Sequence, residues 1–205
     1  MFTVAGQSSH DIVRRFSLLF IAAALLSCLL AARALASDNE YAAPLTAFAQ
    51  DKVAAWIADP ALIAAVKAQN AKTGSLDEAA IKQLDTEWRG QVGQGATPLI
   101  DSVVGNALSD KLRQWKDETG GMVTEIFVMD AVGLNVGASD VTSDYWQGDE
   151  AKWQETFKAG AGAVHLGEVE LDESTQTFQS QVSLPVMDGG TPIGAITVGV
   201  NVEAL

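Results

Sequence analysis

Residue patterning predicts an α+β fold in which long N-terminal helices pack on a five-stranded antiparallel sheet. From Ala43 to Trp115 apolar residues recur at helical spacing, with no strand pattern among them. From Val123 onward the period shifts towards two, and β-branched and aromatic residues gather in short runs. Short connections join those runs, the clearest being Asp188-Gly189-Gly190-Thr191-Pro192, so neighbouring strands must run antiparallel.

A leader precedes the helices. A polar stretch ends in Arg14 and Arg15, an apolar run extends from Phe16 to Ala32, and Ala34-Leu35-Ala36 puts small residues where a signal peptidase reads them. Residues 1–36 are therefore expected to be a cleaved secretion signal, which makes the working protein periplasmic. The alternative is a retained membrane anchor, because the apolar run reaches the lower length limit for spanning a bilayer. The chain carries 13 Lys and Arg against 26 Asp and Glu, for a formal charge of -13. Cleavage removes Arg14, Arg15 and Arg33 with a single acid, Asp11, and leaves the remainder more acidic still. Such a surface repels nucleic acid and anionic lipid. Cys28 and His10 lie in the leader, so disulfide and thiolate chemistry go with it and His165 is the one remaining imidazole.

The elements follow in order. Pro44 suits a first helical turn, and Leu45, Phe48, Lys52 or Val53, Trp56 and Ile57 share one face. Asp59-Pro60 interrupts that helix, and its continuation ends near Thr73-Gly74. Ser75-Leu76-Asp77-Glu78 reads as a capping box for a helix carrying Ile81, Leu84 and Trp88. Thr97-Pro98 opens another helix with a stripe through Leu99, Val103, Leu108, Leu112 and Trp115. In the second half, a strand through Thr124 to Asp130 turns at Ala131-Val132-Gly133 and returns along Leu134-Asn135-Val136. A helical insert follows, with Trp153 and Phe157 as i,i+4 partners and Gly160 past its end. Three strands remain, about Val164 to Leu171, Gln176 to Met187 and Ile193 to Val202. Residues 37–122 thus form the helical part, and 123–205 the sheet part, of one expected domain.

The stretch Phe127-Val128-Met129-Asp130-Ala131-Val132-Gly133, the insert Ser143-Asp144-Tyr145-Trp146-Gln147-Gly148-Asp149-Glu150 and the ending Pro192-Ile193-Gly194-Ala195-Ile196 resemble Cache domains, the PAS-like extracytoplasmic sensor modules of bacterial chemoreceptors and kinases. The likeness covers about the last half of the chain. It implies a PAS-like sheet and a small ligand held between sheet and insert. In that family a transmembrane helix usually follows the last strand, whereas this sequence ends at Leu205. The expectation is a domain that docks on a membrane receptor or kinase partner, or dimerises through its N-terminal helix.

Candidate ligand-binding residues come from two places. The insert gathers Asp140, Asp144, Tyr145, Trp146 and Trp153, which combine aromatic surface with carboxylate acceptors and suit an amine or other cation. Alternation along the last two strands puts Gln181 and Ser183 in one polar row and Thr197 in another, while Phe178, Val182, Leu184 and Val186 form a core row. Each candidate also has a plain reading, as helix cap, core ring or solvated sheet face. Amino acids, amines and small carboxylates are the ligand classes expected. No calcium-loop spacing or closed zinc set occurs, so no metal or cofactor is expected. Neither a nucleophile elbow, a phosphate loop nor a dinucleotide fingerprint is present, and a non-enzymatic role is expected. The competing expectation is a structural or interaction module whose pocket is filled by side chains.

Overall fold

A computed structural model describes residues 39–172 and 176–205; the expected leader lies outside them. Helix α1 (Ala42–Phe48) continues through a π-helical segment (Ala49–Val53) into α2 (Ala54–Ile57). Leu45, Ala49 and Val53 are fully buried, four residues apart. On an ideal α-helix that spacing drifts around the cylinder, and the wider π turn holds the stripe on one face. Asp59 then caps α3 (Pro60–Thr73), its carboxylate accepting from the Ala61 and Leu62 amides, with Pro60 in the first turn where its missing N–H costs nothing.

Two details of the helical half differ from expectation. The cap of α4 (Glu78–Gln91) is Asp77, which accepts from Ala80 N at 2.8 Å, rather than Ser75. The extended backbone of Asp77 brings its own carboxylate to the free amides, and Glu78 in the first turn pairs with Lys82 instead. The single helix expected from Thr97 is two, α5 (Pro98–Val104) and α6 (Ala107–Asp117). Asn106 breaks it: its Oδ1 caps Ser109 N while its Nδ2 donates to the Val136 carbonyl at 2.9 Å, and that tertiary bond fixes the corner.

The sheet contains β1 (Val123–Met129), β2 (Asn135–Ala138), β3 (His165–Leu166), β4 (Glu170–Asp172), β5 (Thr177–Asp188) and β6 (Thr191–Asn201), all paired antiparallel. The spatial order is β2-β1-β6-β5-β3, with β4 also on β5. Strands β3 and β4 lie end to end on one edge, so the sheet is five positions wide although it has six segments. The expected third strand is broken at Gly167, whose N–H donates to Gln181 O while its carbonyl accepts from the Ser180 hydroxyl and Asn39 Nδ2. The β5–β6 hairpin turns at Gly189 and Gly190, φ 55° and 88°, the left-handed pair that a two-residue turn on twisted strands requires.

Helices α1 to α3 and α6 cover one sheet face, where Leu45, Trp56, Leu62 and Leu112 meet Val182, Leu184, Ile196 and Val198. This is the expected core row. Phe178, placed in the same row by alternation, is 49% exposed opposite Leu171. The described helical layer begins at Asn39, which reaches Ser180 and stops short of it. On the other face, Phe127, Met129, Ala138 and Ala195 pack under Trp153 and Phe157. The insert helix α7 is one turn, Ala151–Gln154, shorter than expected, and Phe157 stacks on Trp153 from the turn that follows.

Gly194 is where backbone approach is closest, since a Cβ there would lie 2.2 Å from the Met129 carbonyl oxygen. Gly194→Ala should lower the unfolding free energy by about 2–3 kcal/mol, read by chemical denaturation. Gly90→Ala, whose Cβ would meet nothing within 4 Å, should not.

Candidate ligand-binding site

The β1–β2 turn is built on a buried carboxylate. Asp130 is fully buried; its Oδ1 accepts from the Val132 and Leu134 amides, both at 2.9 Å, and its Oδ2 from Thr73 Oγ1 at 2.7 Å and Gln69 Nε2 at 3.2 Å. Its own carbonyl accepts from Trp153 Nε1 at 3.0 Å. One residue therefore ties the hairpin turn to α3 on the helical face and to the insert on the other. Gly133, φ 89°, closes the turn, and any side chain there would strike Gly148 of the insert.

The insert is held from outside by α4. Asp85 Oδ1 accepts from the Tyr145 and Trp146 amides, Trp88 Nε1 donates to Thr142 O, and the Trp88 ring stacks on Tyr145 with centroids 5.2 Å apart. Arg89 bridges Asp85 and Asp144. Beneath them Asn135 Nδ2 donates to Thr142 Oγ1 and Asp144 O.

These contacts place the eight candidates. Asp140 is at the surface, paired with Lys116. Asp144 holds Arg89 and accepts from Gln147 Nε2. Tyr145 is buried in a cluster with Ile81, Trp88 and Leu134, against which Trp146 packs while its Nε1 donates to Val132 O. Burial first, then the charge of Asp130, pushes the Tyr145 phenol up to about 12. Trp153 lies in a different cluster, so the insert's aromatic rings do not form one cage. Ser183 and Thr197 are fully buried and share a hydrogen bond of 2.9 Å across β5 and β6. Among the eight, only Gln181 lines the cavity under the insert.

That cavity, of about 280 Å³, opens between α7 and the β3–β5 edge. Its walls include Glu150, Lys152, His165, Glu168, Glu170 and Gln181. Lys152 Nζ is half-buried, 2.8 Å from Glu150 and 5.5 Å from the centre of the Phe127 ring, so its charge is held over an apolar floor. Gln181 Nε2 donates to Glu125 at 2.9 Å, and His165 Nδ1 meets Glu155 at 2.9 Å. Sequence reasoning passed over Lys152, and it put Gln179 in the polar row of Gln181 without singling it out. Lys152 is the first cation after Lys116 and sits beside Trp153, and Gln179 shares the strand row of Gln181. Those were the available signals. Among the described residues no group of three or more His, Cys, Asp or Glu is arranged to hold a metal, and no helix is long and apolar enough to cross a membrane.

Neither a protein-family model nor a curated protein sequence matches the chain. Solved structures to which it is similar are sensor domains of histidine kinases and chemoreceptors. The V. cholerae histidine kinase DctB sensor domain is 14% identical with a TM-score of 0.36, the match covering 80% of this chain and 58% of that one. The ligand-binding domain of the Pseudomonas aeruginosa PAO1 amino acid chemoreceptor PctC, in complex with GABA, is 16% identical with a TM-score of 0.38, covering 69% and 57%. That of the Campylobacter jejuni chemoreceptor Tlp3, with 4-methylisoleucine, is 11% identical with a TM-score of 0.36, covering 71% and 62%. The chain spans about three fifths of the length of these domains.

If Asp130 is the tie between layers, Asp130→Asn should cost about 2–4 kcal/mol, because an amide offers one acceptor and points a donor at groups that already donate. Denaturant titration should show the loss. Asp140→Asn, at an exposed pair, should cost under about 1 kcal/mol.

Proposed function

We propose that this chain is a small-molecule-binding sensor domain of Cache type that works outside the cytoplasm and holds an amine-bearing ligand, such as an amino acid, in the cavity between α7 and β5. The observation that carries this reading is the cavity's mixed charge: one half-buried ammonium, Lys152, faces the carboxylates of Glu150, Glu168 and Glu170. A zwitterion suits such a wall, with its carboxylate on Lys152 and its ammonium among the glutamates, while Gln181 offers a directed amide. Ser183 and Thr197 support the floor from below. Asp144, Tyr145 and Trp146 act through the insert, whose position against α4 they fix; Trp153 packs the apolar part of the same face, and Asp140 contributes through its pair with Lys116.

Export rests on the leader of residues 1–36, and signalling on a receptor or kinase partner that senses the insert's position or on a dimer through α1. A second reading, an interaction module with a filled pocket, is favoured by one observation. Phe127, Met129, Trp153 and Phe157 already occupy much of the sheet face under the insert.

Thermal denaturation in the presence of amino acids, 4-aminobutyrate and diamines separates the two. At a hundredfold excess over Kd a ligand of the folded state should add about 2.7 kcal/mol of stability. Lys152→Ala should weaken amino acids about tenfold while sparing diamines, which have no carboxylate to lose. A panel without a single stabilising compound would favour the interaction module. Mass measurement of the protein recovered from the periplasm should give a chain beginning at Ser37; an intact leader would make it an anchor.

A further inference from the structure

A second cavity lies on the helical side of the sheet, between α3 and the α5–α6 corner, over β2. Its volume is about 500 Å³. It exists because the facing helix positions carry short side chains: Ala65 and Ala68 on α3, and Ala107 at the start of α6, leave a gap that larger residues would fill. Leu108 and Val136 give it an apolar floor. At its inner end lies the ring of Tyr145, only 6% exposed, with its hydroxyl beside the Gln69 amide.

Its charge is opposite to that of the molecule. The chain has twice as many acids as bases, yet no carboxylate lines this cleft, and Lys72 does. Seven other described Lys and Arg side chains each hold a carboxylate within 4.0 Å. Lys72, like Lys52 and Lys158, holds none among the described residues, and of these three it alone lines the cleft. Asp130 lies behind Gln69 and Thr73 of the lining, its oxygens already occupied by four donors. An exposed ammonium beside a slot whose walls mix alanines, leucine and valines with the neutral polar groups of Gln69, Thr73, Ser102 and Asn106 matches an anion with a short hydrocarbon body.

We propose that this cleft binds a small aliphatic monocarboxylate, its carboxylate on Lys72 and its chain between the alanines of α3 and α6. This site is separate from the amine pocket, across the sheet from it. Tyr145 belongs to the same insert that carries Lys152, so occupancy here bears on the segment that closes the other cavity.

The test is a ¹H–¹⁵N NMR titration with hexanoate, and with hexylamine as the charge-reversed control. Hexanoate should shift the amides of Ala68, Val103 and Ala107, and hexylamine should not. Lys72→Glu should weaken hexanoate about tenfold or more. Ala68→Trp, which fills the slot from an exposed helix position, should abolish the shifts while the rest of the spectrum shows the fold intact. Absence of shifts, an equal response to hexylamine, shifts that survive Ala68→Trp, or shifts confined to Lys152 and Gln181 would each overturn the proposal. Failure of amines to bind the other pocket leaves this titration unaffected.

Discussion

The structure depends on one buried carboxylate. Asp130 sits where the first hairpin turns, and its four accepted hydrogen bonds come from two layers: backbone amides of its own turn and side chains of α3. Through its carbonyl it also holds Trp153 of the insert. A buried charge is costly unless it is fully satisfied, so the residues around it have little freedom to move apart. The turn, the helix and the insert consequently share one geometry.

From that node the insert is divided between two environments. Its first half, through Tyr145 and Trp146, is clamped to α4 by Asp85 and Trp88 and faces the helical layer. The second half, α7, crosses to the other sheet face, where Trp153 and Phe157 cover Phe127 and Met129. A single loop therefore borders both cavities. Between its two halves the insert touches the hairpin turn at Gly133 and Gly148, where the backbones leave no room for a side chain.

The surface is acidic, but its charges are locally arranged. Most described cations are spent in pairs with neighbouring carboxylates, and such exposed pairs contribute little individually. Two lysines line these cavities. Lys152 is drawn in over an aromatic floor and Lys72 is left without a carboxylate, and each marks a cavity whose lining differs from the bulk of the surface.

Much of the fold was legible in one dimension. Periodicity alone separates the helical half from the sheet, Pro60 and Asp59 announce a helix start, and the Gly189-Gly190 turn sets the register of the longest hairpin, because these are local preferences of backbone and side chain. The core rows of β5 and β6 follow from alternation, except at Phe178, which is exposed. What the tertiary structure decided was every choice made by a long-range partner. Asn106 breaks a helix in order to reach Val136, and Gly167 interrupts a strand where its carbonyl meets Ser180 and Asn39. The same holds for the site: the sequence placed Tyr145, Trp146 and Trp153 in one segment, whereas packing sent them to two faces and brought Lys152 beside Gln181 instead. Residue type and spacing report what a side chain can do, but which side chains meet is set by how the insert crosses the edge of the sheet, and that crossing is fixed by contacts tens of residues away.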